Sequence, residues 1–135
     1  MMGRFLACLT AGTYLLACGH ALTMPSFAVT DLEVRELGLS ETHIRWWKEL
    51  EECAGVGGEL DELRFLEVLA PLTDSGQQFP CFSDGRFCSG AWEPPRTIFV
   101  ASGMTESERT VKHEMLHALL KSPAHGPEFL ACTVR

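Results

Sequence analysis

A chain of 135 residues, 46% of them hydrophobic, can bury the core of one compact domain but not of two. Its formal net charge of -7 argues against nucleic acid or an anionic lipid surface as the partner, because the long-range field repels both. No internal repeat or low-complexity run divides it.

The first element is a targeting segment. Met1-Met2-Gly3-Arg4 carries positive charge, and Phe5 to Ala17 is apolar but shorter than the roughly 20 residues of a spanning helix. The segment reads as a signal peptide. Leu15-Leu16-Ala17-Cys18 fits a lipobox, which makes residues 1–17 the leader and Cys18 the lipidated first residue of the mature protein. Removing 17 of the 135 residues leaves 118. The expected location is the cell envelope, lipid-anchored to a membrane and facing the periplasm or exterior. Cleavage near Cys18-Gly19-His20-Ala21 by an ordinary signal peptidase would give a secreted protein instead. Residues 18–38 read as a tether and 39–135 as the folded domain.

Ser40-Glu41-Thr42-His43 opens a helix through about Cys53, with Ile44, Trp47 and Leu50 on its apolar face and Gly55-Val56-Gly57-Gly58 ending it. The glycines are no phosphate loop, since no Lys-Ser/Thr ending follows. Leu63 to Leu69 and Thr97 to Ala101 read as strands, separated by a Gly/Pro/Ser-rich loop.

An exported chain keeps its cysteines in an oxidising space. With Cys8 lost and Cys18 acylated, Cys53, Cys81, Cys88 and Cys132 remain, and four cysteines allow 3 pairings. Cys81 with Cys88, closing a turn, and Cys53 with Cys132, tying the first helix to the C-terminus, are the favoured pairs. A second zinc site is the rival, disfavoured because no C-x-x-C pair is present.

Residues 111–120 carry His113-Glu114-Met115-Leu116-His117. Histidines at i and i+4 share one helix face and can grip one metal ion, with zinc expected and Glu114 beside it as general base. Thr105-x-x-Glu108 reads as a capping box for this helix, and Ser122-Pro123 stops it. A catalytic zinc keeps three protein ligands and one open position, so a third donor just past the stop is required; His125 fits, and Glu128 is the lesser substitute.

His113-Glu114-x-x-His117 followed by His125-Gly126-Pro127-x-Phe129 resembles the zinc site of SprT-like metalloproteases. The chain resembles more closely still a group of small bacterial lipoproteins described as zinc metallopeptidases, through Trp46-Trp47 to Cys53, Cys88-Ser89-Gly90-x-Trp92-Glu93-Pro94-Pro95 and the H-E-x-x-H helix. The connection between His117 and His125 is shorter than in SprT-like enzymes. Metzincins match less well, because no H-E-x-x-H-x-x-G-x-x-H run is present.

These features together lead us to expect a small α+β zincin-like domain: a short sheet packed on the His113 helix and one further helix, stapled by disulfides. The resemblance implies a zinc-dependent peptidase acting on a peptide or protein substrate. It also implies that Thr97 to Ala101 forms the sheet edge that pairs with the extended peptide, and that Trp92 to Pro95 borders the cleft. Tyr14 leaves with the signal, so His43, Arg96 or zinc alone would stabilise the oxyanion. The competing expectation is a non-catalytic envelope lipoprotein of the same fold acting as a binding or structural module.

Overall fold

A computed structural model describes residues 32–81 and 86–133. The expected leader 1–17 and Cys18 lie outside the described residues. Among these, no helix is long and apolar enough to cross a membrane.

Helix α1 spans Glu41–Ala54, as its start and stop signals require. The N–H of His43 donates to Ser40 Oγ, and the Ser40 N–H donates to His43 Nδ1, so an imidazole closes a capping box usually closed by Glu. Gly55 ends the helix at φ 70, a left-handed conformation that costs a glycine little. The buried stripe is His43, Trp46, Trp47 and Leu50, at i, i+3, i+4 and i+7. Ile44, expected on it, is 39% exposed, because the stripe centres on Trp46 and Trp47 and leaves Ile44 at its rim.

The described residues hold eight strands: β1 (Val34–Glu36), before α1, then β2 (Arg64–Val68), β3 (Leu72–Thr73), β4 (Gly76–Gln77), β5 (Phe79–Pro80), β6 (Phe87–Cys88), β7 (Gly90–Glu93) and β8 (Thr97–Ala101). Four form a mixed sheet in the order β1-β2-β8-β7. β2 and β8 run parallel, Arg64 opposite Thr97 through Val68 opposite Ala101, while β1 and β7 are antiparallel to their neighbours. Val34–Glu36 fall in the stretch expected as tether, yet they pair with β2, and Arg35 bonds Glu67 directly across the strands at 2.5 Å.

The loop expected between the two strands carries the two small hairpins β3–β4 and β5–β6, and then β7. This last strand overturns one expectation. Thr97–Ala101 is an interior strand, because β7 turns back at Pro94-Pro95 and pairs Trp92 with Ile98 and Gly90 with Val100. The edge beside the H-E-x-x-H helix is therefore β7.

Helix α2 (Glu108–Leu120) begins at Ser107, whose Oγ accepts from the Thr110 N–H at 3.4 Å, rather than at Thr105. The Thr105 carbonyl is occupied instead by His43 Nε2 at 2.7 Å, which holds that residue in a turn and ties the start of α1 to the approach of α2. A third helix, α3 (Pro127–Thr133), is one more than expected; proline at its first position loses no helical bond.

Alternation along β8 separates two cores. Ile98 and Val100 face the helices and join Trp46, Leu50, Met115 and Phe129. Phe99 and Ala101 face the hairpins and join Phe79, Val68 and Cys81. Each fully buried large apolar side chain contributes roughly 1.5–3 kcal/mol. Among the described residues the domain is thus α+β, with three α-helices, a short mixed sheet and two cysteine pairs, Cys53–Cys132 and Cys81–Cys88, each at a Cα separation of 5.8 Å. That separation is where disulfides are commonest.

Lys112 shows what holds α1 against α2. Its buried ammonium lies 2.6 Å from Glu49 and 2.7 Å from Glu108. Burial opposes its charge, but bonds to the two carboxylates outweigh that and hold its pKa above the usual lysine value.

Candidate metal centre

Positions 109, 113 and 117 recur at i, i+4 and i+8 and share one face of α2. His113 and His117 point from that face toward the segment after the helix. Lys121 ends α2 in a left-handed conformation, φ 51, and its N–H donates to the His117 carbonyl. The Ser122 N–H donates to the same oxygen at 3.2 Å, so the chain turns sharply back. The Ala124 N–H then donates to Ser122 Oγ at 3.1 Å, shaping the turn that delivers His125.

The three histidines converge, with one ring nitrogen from each within 4.8 Å of the others. Nε2 of His113 stands 3.2 Å from Nε2 of His117 and 3.0 Å from Nε2 of His125. Tetrahedral donors at the zinc–imidazole distance of about 2.0–2.1 Å would stand roughly 3.3 Å apart, so the spacing suits a shared ion. The tautomer suits it as well. His117 Nδ1 donates to the Ser122 carbonyl at 2.8 Å, which leaves the Nε2 lone pair facing its neighbours. The three residues can therefore hold a metal ion. Glu128 lies outside the cluster: its carboxylate folds back over Gly126, where a Cβ would stand 2.5 Å from Oε2.

Phe129 lies against this cluster. Its ring centroid is 5.0, 4.5 and 4.8 Å from those of His113, His117 and His125. Trp92 of β7 stacks on His117 at 6.1 Å and 4°. Packing of this kind locks rotamers and excludes water. Trp92 Nε1 is also the one buried side-chain nitrogen or oxygen among the described residues with no hydrogen-bond partner. An unmade bond of this sort costs about 1–3 kcal/mol.

Electrostatics follow from the burial. For the protein chain alone, burial pushes His113 down to about 4, helped by repulsion from His117, His125 and Arg109. Burial lowers His117 too, against the bond to Ser122. Neutral imidazoles are the form that binds a metal. Glu114 is 7% exposed, and burial pushes it up to about 8, opposed by a hydrogen bond from the Trp92 backbone.

Gly90 makes room for this carboxyl. A Cβ there would meet Glu114 Cγ at 2.9 Å and Thr110 Cγ2 at 3.0 Å. The Ala101 N–H donates to Ser89 O, so by strand alternation Ala91 and Glu93 bond to β8 while Gly90 and Trp92 turn their backbone groups outward. A glycine in a strand is a sequence signal for close approach, and it could have flagged Gly90; nothing in the spacing flagged Trp92 as the stacking partner of His117.

A cleft of about 880 Å³ opens over these residues, with mostly apolar walls including Pro123, Leu130 and the Cys81–Cys88 bridge. His43 and Arg96, the expected oxyanion donors, are not in it. His43 is buried at the α1 cap, and Arg96 pairs with Glu62 at 3.3 Å. No family model, curated protein or solved structure matches the chain.

Proposed function

We propose that the protein is a zinc-dependent metallopeptidase of zincin-like fold, with His113, His117 and His125 as ligands and Glu114 as general base and then acid. The observation that carries this reading is the buried Glu114 carboxyl in the same cleft as three convergent imidazoles. A purely structural zinc site closes with a fourth protein donor and has no use for a free carboxylate beside it.

Bound zinc would supply Lewis acidity, polarising the scissile carbonyl and lowering the pKa of water. The residues of the chain do the rest. Glu114 takes a proton from the attacking water and passes it to the departing amine nitrogen, a role that favours a carboxyl titrating near neutral pH. Apart from the Trp92 N–H, which bonds to Glu114, the outward backbone groups of β7 offer an extended peptide a partner strand, in place of the interior strand β8. Apolar cleft walls would receive a side chain flanking the bond to be cut. Cleavage by the leader peptidase and lipidation of Cys18 would deliver the domain to the cell envelope, where the two disulfides persist.

The test is metal analysis of the purified protein alongside a peptide-cleavage screen. Glu114→Gln should keep zinc and lose about 10²–10⁴-fold in rate, whereas His113→Ala should lose both. A Glu114→Gln protein that cleaves as fast as wild type, with zinc content matched, would move the assignment to a non-catalytic envelope lipoprotein.

A further inference from the structure

We infer that Arg109 is a carboxylate-recognition residue, which makes the preferred ligand a peptide bearing a carboxylate about two residues from the bond to be cut. The inference rests on the peptidase reading and adds a substrate class to it.

Three observations carry it. Arg109 is exposed and lines the cleft; among the described lining residues it is, apart from the histidines, the one cation, and Glu114, buried against Gly90, is the one acid. Arg35, Arg45, Arg64, Arg96 and Lys112 each lie against a carboxylate of the protein. Arg109 has no such ion pair among the described residues, in a chain of net charge -7 where acids are plentiful. Finally, Arg109 is one turn before His113 on the same helix face.

That turn sets the register. Four residues of helix rise about 6 Å, close to two residues of extended chain at about 3.3 Å each. A peptide running along β7 with its scissile carbonyl at the histidines would bring the second residue beyond it to the guanidinium. A planar guanidinium binds a carboxylate through two parallel N–H donors, an arrangement that lysine cannot reproduce. The carboxylate can come from a chain end or from an Asp or Glu side chain.

Binding decides this without turnover. Zinc-loaded, full-length Glu114→Gln protein is titrated with three fluorescent peptides of one sequence: a free C-terminal carboxylate, a C-terminal amide, and an amide carrying Asp at the second position beyond the expected cleavage point. Fluorescence anisotropy at low salt should show one or both carboxylate peptides binding at least tenfold tighter than the plain amide, and the tighter of the two identifies the source. Adding Arg109→Met should bring the ratio within about twofold at unchanged zinc content, and Arg109→Lys should recover only part of it. The inference is overturned if the plain amide binds as well as both carboxylates, if no peptide binds, or if the ratio survives Arg109→Met, which would put the carboxylate on the metal. If wild type cleaves nothing but the ratio behaves as expected, the peptidase reading fails and carboxylate recognition by Arg109 stands.

Discussion

Nδ1 of His117 lies 2.8 Å from the carbonyl oxygen of Ser122, a residue beyond the end of the helix that carries the histidine. A backbone acceptor can only receive, so the proton resides on Nδ1 and Nε2 is bare. Long-range ¹H–¹⁵N correlation spectra of the metal-free protein at neutral pH should show this tautomer for His117. A proton found on Nε2 would remove the argument that the ring is poised for an ion.

Removing the metal exposes a pH dependence with two opposite limbs. His113 titrates at about 4 in the folded chain against 6.5 unfolded, so its contribution is complete above 6.5 and is lost as pH falls through 4. Glu114 titrates at about 8 against 4.5, so its protonated form contributes fully below 4.5 and the contribution is lost as pH rises through 8. Between pH 6.5 and 8 the fall belongs to Glu114, at up to about 1.4 kcal/mol per unit, or about 2 kcal/mol in all. Urea melts in chelator should show this fall in wild type and not in Glu114→Gln.

Gly90→Ala should separate metal binding from catalysis. The new methyl collides with Glu114 Cγ at 2.9 Å while all three histidines stay in place. Overpacking of this kind costs about 1–3 kcal/mol. Turnover should drop at least tenfold with zinc content unchanged; full activity would show that the position of Glu114 is not critical.

The two disulfides should differ in weight. Cys53–Cys132 closes a separation of 79 residues and Cys81–Cys88 one of 7, so chain entropy assigns them about 4.5 and about 2.5 kcal/mol. Denaturant melts of the two double-alanine variants should rank them in that order. Loss of Cys53–Cys132 also frees α3, which carries Phe129 against the histidines, so zinc affinity should fall with it; affinity equal to wild type would show that α3 holds itself in place.

Lys121→Gly should stabilise the protein by about 0.5–1 kcal/mol, because the C-cap is left-handed and lysine pays for that conformation with its Cβ. A lower melting temperature for Lys121→Gly would contradict the cap assignment.

Local chemistry made much of this protein legible from its sequence. Ser40 and Gly55 bound α1, the i, i+4 spacing put His113 and His117 on one face, and the even cysteine count led to the two pairs that the fold brings within 5.8 Å. These features depend on neighbours along the chain or on loop closure, both of which spacing encodes. What spacing does not encode is which strand lies beside which. Resemblance put Thr97–Ala101 at the sheet edge, but the loop before it hides a strand of four residues, Gly90–Glu93, whose partner lies across a turn. Thr105 offered a sound cap, but a turn closes across it, the Ser107 N–H donating to the Met104 carbonyl, while His43, 62 residues away, bonds the Thr105 carbonyl. Likewise the burial that lifts Glu114 and the stacking of Trp92 on His117 come from β7, a strand distant in sequence from α2. Packing decided these, because burial and proximity are properties of the assembled core and not of any one segment.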